Sequence, residues 1–281
     1  MNQTGHISLE AIATKIQRLP ALSSIVTELL TSMEKDDVDI GSVVTKISHD
    51  QTLTAKALRL ANSSFYGMQH QITSIQEAIT VLGFRSIQTL VTTTAIISSF
   101  RENHASIFDF TVFWRHSIAS AICAQEIARF VEMSPDKAFT ACLLHDIGKL
   151  VLITVYQEQY TQVLERQKQS DTSLFLLENE MLGIDHAAVG SALASYWKFP
   201  EEIQHAIACH HAPENHQQLA MILHVADAIA HALDLTHSHD EAVPEINEFA
   251  WQQLGLTPQT CKKIFCRTEM QCEEICAILI A

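Results

Sequence analysis

A histidine and an aspartate stand side by side within an apolar stretch, residues 142–149, which reads CLLHDIGK. Burying a neutral polar group without a partner costs about 2–7 kcal/mol, and burying an ionised one costs more. A divalent cation would offset that cost, because imidazole and carboxylate are both good ligands for one. The alternative is a hydrogen-bonded pair that stabilises the core, and His145 and Asp146 alone do not decide between the two.

The residues around this pair predict a helix that begins at Ser134. Serine is a common N-cap, Pro135 suits the first helical position, and Gly148 suits the position just past the end. His145 and Asp146 would then lie in the last turn, about 100° apart around the axis. We therefore expect both side chains to face one centre.

Two more histidines have apolar surroundings on predicted helices. His116 shares a helix face with Ser120 and Cys123, so it points toward the core. An ordinary core histidine is the alternative there. His186 opens another predicted helix, in which Gly190 would let a second backbone or a ligand come close.

Three further candidates follow in the chain. His210 and His211 end a predicted helix, where they could instead complement the helix dipole, each contributing about 0.3–1 kcal/mol. Asp227 lies in a nearly apolar helix, residues 219–230, which contains no Lys or Arg. A carboxylate in such a place needs a cation, or it must be protonated. The complete ordered set is His116, His145, Asp146, His186, His210, His211 and Asp227.

This set of nitrogen and oxygen donors predicts one or two divalent metal ions as cofactors. Two ions that share a carboxylate are suited to clamping a phosphate and to lowering the pKa of a water. Donors of this kind without a thiolate suit Fe, Mn, Ni or Zn, and the sequence does not choose among them.

The composition predicts an all-α protein. Gly and Pro are scarce among the 281 residues (8 and 6), and no alternating β-branched stretch is bounded by turn residues. A polar segment near residue 105 suggests two lobes of a helical bundle. We predict an N-terminal docking or regulatory lobe over residues 1–105, a metal-binding helical domain over 106–239, and closing helices over 240–281.

The net charge of −14 is unevenly placed. Residues 1–100 hold 7 Lys and Arg against 8 Asp and Glu, which leaves 11 against 24 in residues 101–281. Such an acidic surface repels a phosphate backbone, so we expect no duplex nucleic acid as a partner. Neither a signal peptide nor an uncharged apolar stretch of about 18 residues is evident. We therefore expect no membrane association and a cytoplasmic protein.

The motifs in this order resemble a known superfamily. The sequence HDIGK at residues 145–149 and the later pair His210–His211 are similar to the HD superfamily of metal-dependent phosphohydrolases over residues 107–235. The N-terminal third resembles the HDOD family, a signalling-associated relative. The segments that match HDOD proteins are 50–54, 61–67, 78–79, 82–83, 113–116, 185–190 and 197–200.

The resemblance implies an HDOD lobe followed by an HD-type helical domain with two groups of metal ligands that share Asp146. Lys149 would face a substrate phosphate, so Lys149 and Asp146 are the catalytic candidates. The first group is His116, His145, Asp146 and Asp227. The second group is Asp146, His186, His210 and His211.

The chain departs from the related HD-GYP phosphodiesterases at two positions. Residues 212–216 read APENH where those proteins have a Gly-Tyr-Pro motif, and Val112 stands where a carboxylate would support a third metal. The resemblance therefore does not extend to hydrolysis of cyclic di-GMP.

Two functions are compatible with this sequence. The first is a cytoplasmic HDOD-type signal-transduction module that retains a mono- or dinuclear metal centre and binds a protein partner through its N-terminal lobe. Many HDOD proteins have lost the ligands and act as regulatory modules, whereas this chain keeps them. The alternative is an active metal-dependent phosphohydrolase, a phosphodiesterase or phosphatase, that takes a nucleotide or another phosphoester.

Overall fold

A computed structural model describes residues 6–19, 22–31, 39–100, 108–214, 217–236 and 243–280. Every regular element within these ranges is a helix, which confirms the predicted all-α class. The helices are α1 (Leu9–Ile16), α2 (Ser24–Thr31), α3 (Ile40–His49), α4 (Gln51–Ala61), α5 (Ile75–Leu82), α6 (Phe84–Ser99), α7 (Phe110–Phe130), α8 (Pro135–Leu143), α9 (Ile147–Val155), α10 (Gln157–Gln167), α11 (Leu174–Leu182), α12 (His186–Tyr196), α13 (Glu201–Cys209), α14 (Gln218–Ala232), α15 (Glu248–Leu254) and α16 (Pro258–Leu279).

The helix predicted around the His–Asp pair is wrong in its second half. It begins as expected, with the Ser134 side chain accepting a hydrogen bond from the Lys137 N–H, but α8 ends at Leu143 and α9 begins at Ile147. The turn between them has i→i+3 backbone hydrogen bonds, including His145 N–H to the Cys142 carbonyl at 3.3 Å. His145 and Asp146 therefore lie in a tight turn between two helices.

Gly148 lies in the first turn of α9 and does not end a helix. A Cβ atom at this position would lie 2.0 Å from the carbonyl oxygen of His186 and 2.7 Å from the backbone nitrogen of Gly190. The absence of a side chain thus lets α9 cross closely over the start of α12. Gly190 has the role predicted for it, because it admits the backbone of α9.

The helices of the N-terminal part pack directly on the helices that hold the candidate ligands. Helix α6 packs on α8, α1 packs on α12, and the long α16 contacts both α7 and α4. The predicted domain boundaries at 105/106 and 239/240 fall outside the described residues, so they stay predictions.

One apolar segment, Pro135–Val155, is long and apolar enough to cross a membrane by length and composition alone. In this fold the segment is α8 and α9 with the turn between them. Of its apolar window, 83% is buried inside the protein.

Candidate metal centre

The structure brings all seven predicted ligands together. They come from α7, the turn between α8 and α9, the start of α12, the end of α13, and α14. Six of the side chains belong to residues that are at most 5% exposed, and His211 is partly buried. Their role as ligands stays a prediction, but the convergence on which it depends is present.

Asp146 lies at the middle of this cluster and directs one carboxylate oxygen toward each group. Its Oδ1 atom is 3.1 Å from His186 Nε2 and 3.9 Å from His210 Nε2. Its Oδ2 atom is 3.5 Å from His145 Nε2 and 3.8 Å from His116 Nε2. This is the arrangement that a carboxylate bridging two cations requires.

The first group has its own carboxylate in addition to Asp146. Asp227 Oδ1 lies 2.9 Å from His116 Nε2 and 3.4 Å from His145 Nε2. One ligand atom from each of these three residues lies within 4.8 Å of the others, a spacing that one ion can span.

The second group consists of imidazoles that face one another. His186 Nε2 lies 2.7 Å from His211 Nε2, and His210 completes a set whose ligand atoms all lie within 4.8 Å. Two ring nitrogens at this distance repel unless a proton or a cation lies between them. The ring of Phe175 stacks on His211 at 4.5 Å, which holds that imidazole in place.

Hydrogen bonds at the far side of the rings direct the Nε2 atoms into the cluster. His145 Nδ1 donates to the Cys142 carbonyl at 2.6 Å, and His210 Nδ1 donates to the Ile207 carbonyl at 2.7 Å. In the neutral rings Nε2 therefore has the lone pair. Both Nε2 atoms are buried, and neither has a hydrogen-bond partner among the described residues. Lone pairs next to carboxylate oxygens are unfavourable without a cation between them, so the residues present fit a divalent metal.

The pKa values of the two aspartates are held low. Burial is the largest influence and favours the neutral acid, but nearby positive groups outweigh it. His145 and Lys149 hold the pKa of Asp146 well below its usual range, and the hydrogen bond from His116 together with the nearby imidazoles of His145 and His231 does the same for Asp227. Both carboxylates are thus ionised at neutral pH.

The histidines of the second group differ in their pKa values. Burial and neighbouring imidazoles lower the pKa of His210 to about 3 and that of His211 well below its usual range, so both are neutral. Burial also opposes the charge on His186, but the carboxylates of Glu178 and Asp146 raise its pKa to about 9. A cation that binds His186 must displace this proton.

Lys149 lies beside the bridging carboxylate. Its Nζ atom donates to Asp146 Oδ2 at 2.6 Å, which places an ammonium group at the edge of the cluster. This position agrees with the predicted phosphate contact, which stays a prediction.

The sequence interpretation missed several residues that support the site. Glu178 is fully buried and accepts a hydrogen bond from His186 Nδ1 at 2.6 Å. His231 Nε2 lies 3.4 Å from Asp227 Oδ1, and its ring packs on His116 at 4.2 Å. His231 stands four residues after Asp227 in α14, so helical spacing could have identified it. No local pattern connects Glu178 with His186, because the contact spans the turn between α11 and α12.

His224 has a structural role that was also missed. Its Nδ1 donates to the carbonyl of His210 at 2.8 Å, and its Nε2 accepts the N–H of Asn247 at 2.9 Å. It therefore ties the end of α13 to α14 and to the segment before α15, and both of its ring nitrogens are occupied.

This chain is similar to known proteins over most of its length. The family model of the HDOD domain matches residues 19–213. A curated relative, an uncharacterised protein of Treponema pallidum (strain Nichols), is 28% identical over 277 residues, which cover 94% of this chain and 53% of that protein. The present chain thus spans about half the length of that relative.

Two solved structures are similar over nearly their whole length. A protein named as a candidate phosphohydrolase from Shewanella amazonensis SB2B has a TM-score of 0.78 and 27% identity, covering 95% of this chain and 97% of that one. An HDOD domain protein of unknown function from Geobacter sulfurreducens has a TM-score of 0.76 and 25% identity, with coverages of 97% and 98%. With the family model covering more than half of its residues, this chain belongs to the HDOD family.

Proposed function

We propose that this chain is a regulatory HDOD module, located in the cytoplasm, whose metal-binding half holds one or two divalent cations around Asp146. The observation that carries the proposal is the buried Asp146 carboxylate with one oxygen toward each group of imidazoles. A protein partner would bind the N-terminal lobe, residues 1–105.

The donor chemistry supports Fe, Mn, Ni or Zn. His116, His145 and Asp227 would hold one ion, and the imidazoles of the second group would hold the other, with Asp146 shared. Burial raises the pKa of the nearby Cys142 thiol well above its usual range, so it is protonated in the metal-free protein. Among the described residues, no cysteine belongs to a group of ligand atoms close enough to share an ion. A bound cation would supply Lewis-acid polarisation of a phosphoryl oxygen and a lowered pKa for a water.

The packing of the N-terminal helices supports a regulatory role. Within the described residues, α1–α6 supply no side chain to the cluster, yet α6 packs on α8 and α1 packs on α12. The Ile7 N–H also donates to the Leu182 carbonyl at the end of α11. A partner that shifts α1 or α6 would thus act on helices adjoining the ligands without touching the site.

Hydrogen–deuterium exchange tests whether the N-terminal helices respond to metal binding. We expect Mn²⁺ loading to slow amide exchange in α1 and α6 as well as around the ligands, because these helices pack on α8 and α12. The same comparison on Asp146→Asn, which should not bind the ion, is the control. Protection confined to residues 108–236 in the wild type would contradict the regulatory connection.

A second candidate is an active phosphohydrolase, and the position of Lys149 favours it. An ammonium group beside the bridging carboxylate is placed to stabilise charge that develops on a phosphoester. A panel of phosphomonoesters, phosphodiesters and nucleotides with Mn, Fe, Ni and Mg separates the two candidates. Turnover that disappears in His145→Ala/Asp146→Ala would establish an enzyme, whereas no turnover on any substrate would favour the regulatory module.

If any phosphoester is turned over, Lys149→Ala should lower kcat by about 100-fold, because one preorganised charge is lost. Metal content should change little, since the ammonium group is not a ligand. Parallel kinetics and elemental analysis provide the test. A variant that loses its metal would show instead that Lys149 has a structural role.

A further inference from the structure

Glu178 connects three elements at the rear of the second ligand group. Its Oε1 atom accepts a hydrogen bond from the Tyr160 hydroxyl of α10 at 2.7 Å. Its Oε2 atom accepts two from His186, from the backbone N–H at 2.8 Å and from Nδ1 at 2.6 Å. The residue is 0% exposed, and its carboxylate accepts these three hydrogen bonds, from Tyr160 and His186, among the described residues.

The hydrogen bond that holds the His186 ring differs from those that hold the rings of His145 and His210. The Nδ1 atoms of His145 and His210 donate to neutral backbone carbonyls, whereas that of His186 donates to a carboxylate. A carboxylate behind an imidazole makes the opposite nitrogen a stronger ligand and fixes the orientation of the ring. The opposite nitrogen of His186 is the one that faces Asp146 and His211.

We propose that Glu178 is a positioning residue that sets the cation affinity of the second group, and that Tyr160 in turn holds Glu178. This inference rests on the proposed function, because it requires that the cluster binds a cation. It predicts that the two groups respond differently. Loss of the Glu178 charge lowers the cation affinity of the second group and leaves the affinity of the group formed by His116, His145 and Asp227 unchanged.

The surrounding hydrogen bonds allow the charge to be removed without loss of the fold. In Glu178→Gln an amide oxygen still accepts from His186, and the start of α12 keeps its own cap, in which Asp185 accepts the Ala188 N–H at 2.9 Å. Asn179 also donates to Asp185 at 2.8 Å. The variant therefore changes the basicity of His186 while preserving its position.

The test is titration with Co²⁺ in an Asp227→Asn background, which disables the first group and isolates the second. Affinity is followed by the visible absorption of the bound ion and by calorimetry. Glu178→Gln should lower it by about 10–100-fold, and Tyr160→Phe should lower it by a smaller factor. Glu180→Gln, an exposed glutamate of the same helix, is the matched control and should change nothing.

The outcomes separate this inference from the proposed function. Co²⁺ binding that is equally tight in Glu178→Gln and in the control, with a metal-free melting temperature like that of the control, would overturn the role of Glu178 alone. Should Glu178→Gln fail to fold, unchanged affinity in Tyr160→Phe would overturn it. A wild type that binds no Co²⁺ would overturn both proposals.

Discussion

Asp146→Asn should yield a folded protein whose metal affinity falls by at least about 100-fold at both groups. The amide has the shape of the carboxylate but lacks its charge, and only Asp146 directs an oxygen toward each group among the described residues. A single substitution would thus empty two sites. Elemental analysis after purification without added metal, followed by reconstitution with Mn²⁺, provides the measurement.

Asp227→Asn is the informative comparison for this variant. It removes a carboxylate that faces only the first group. Metal binding by that group should therefore be lost, whereas His186, His210 and His211 should still bind an ion. A protein with Asp146→Asn that retains as much metal as the wild type would show that the bridge is not the centre of the site.

Gly148→Ala should destabilise the protein by about 3 kcal/mol, at the upper end of what overpacking usually costs. The added methyl group would lie 2.0 Å from the His186 carbonyl oxygen. Backbone cannot swing aside as a flexible side chain can, so α9 and α12 must separate. Because Asp146 precedes α9 and His186 begins α12, metal affinity should fall together with the free energy of unfolding. Urea denaturation of the metal-free protein and Mn²⁺ titration provide the two readouts.

Gly41→Ala is the matched control for the packing argument. Gly41 also lies in the first turn of a helix, but among the described residues a Cβ atom there would meet only the Asp39 side chain, at 3.4 Å. That substitution should be neutral or stabilise by about 0.4–1 kcal/mol. Equal stability of Gly148→Ala and Gly41→Ala would show that the contact between α9 and α12 is not tight.

The sequence predicted the fold class and the convergence because both depend on local chemistry. A histidine or an aspartate on an apolar helix face needs a partner. The sequence of a single helix is enough to recognise this at His116 and at Asp227. The predicted continuous helix through His145 was wrong. Serine, proline and glycine signals describe helix ends, whereas the turn after Leu143 arises from i→i+3 hydrogen bonds that residue types do not specify.

The residues that position the ligands could not be predicted from the sequence, for a different reason. Glu178 acts across a turn on a residue eight positions later, and Gly148 is explained only by the backbone of α12 above it. Both depend on how helices pack, and packing between α9, α11 and α12 has no periodic signature. Residue types revealed the candidate ligands, but the contacts that orient these side chains could be identified only in the three-dimensional structure.

The most direct measurement of the central claim is anomalous X-ray diffraction from crystals of the Mn²⁺-loaded protein. We predict an anomalous peak bounded by His116, His145, Asp146 and Asp227 and, where both groups are filled, a second bounded by Asp146 and the imidazoles of His186, His210 and His211. Absence of any peak at this cluster in Mn²⁺-saturated crystals, with Lys149 still bonded to Asp146, would contradict the metal centre.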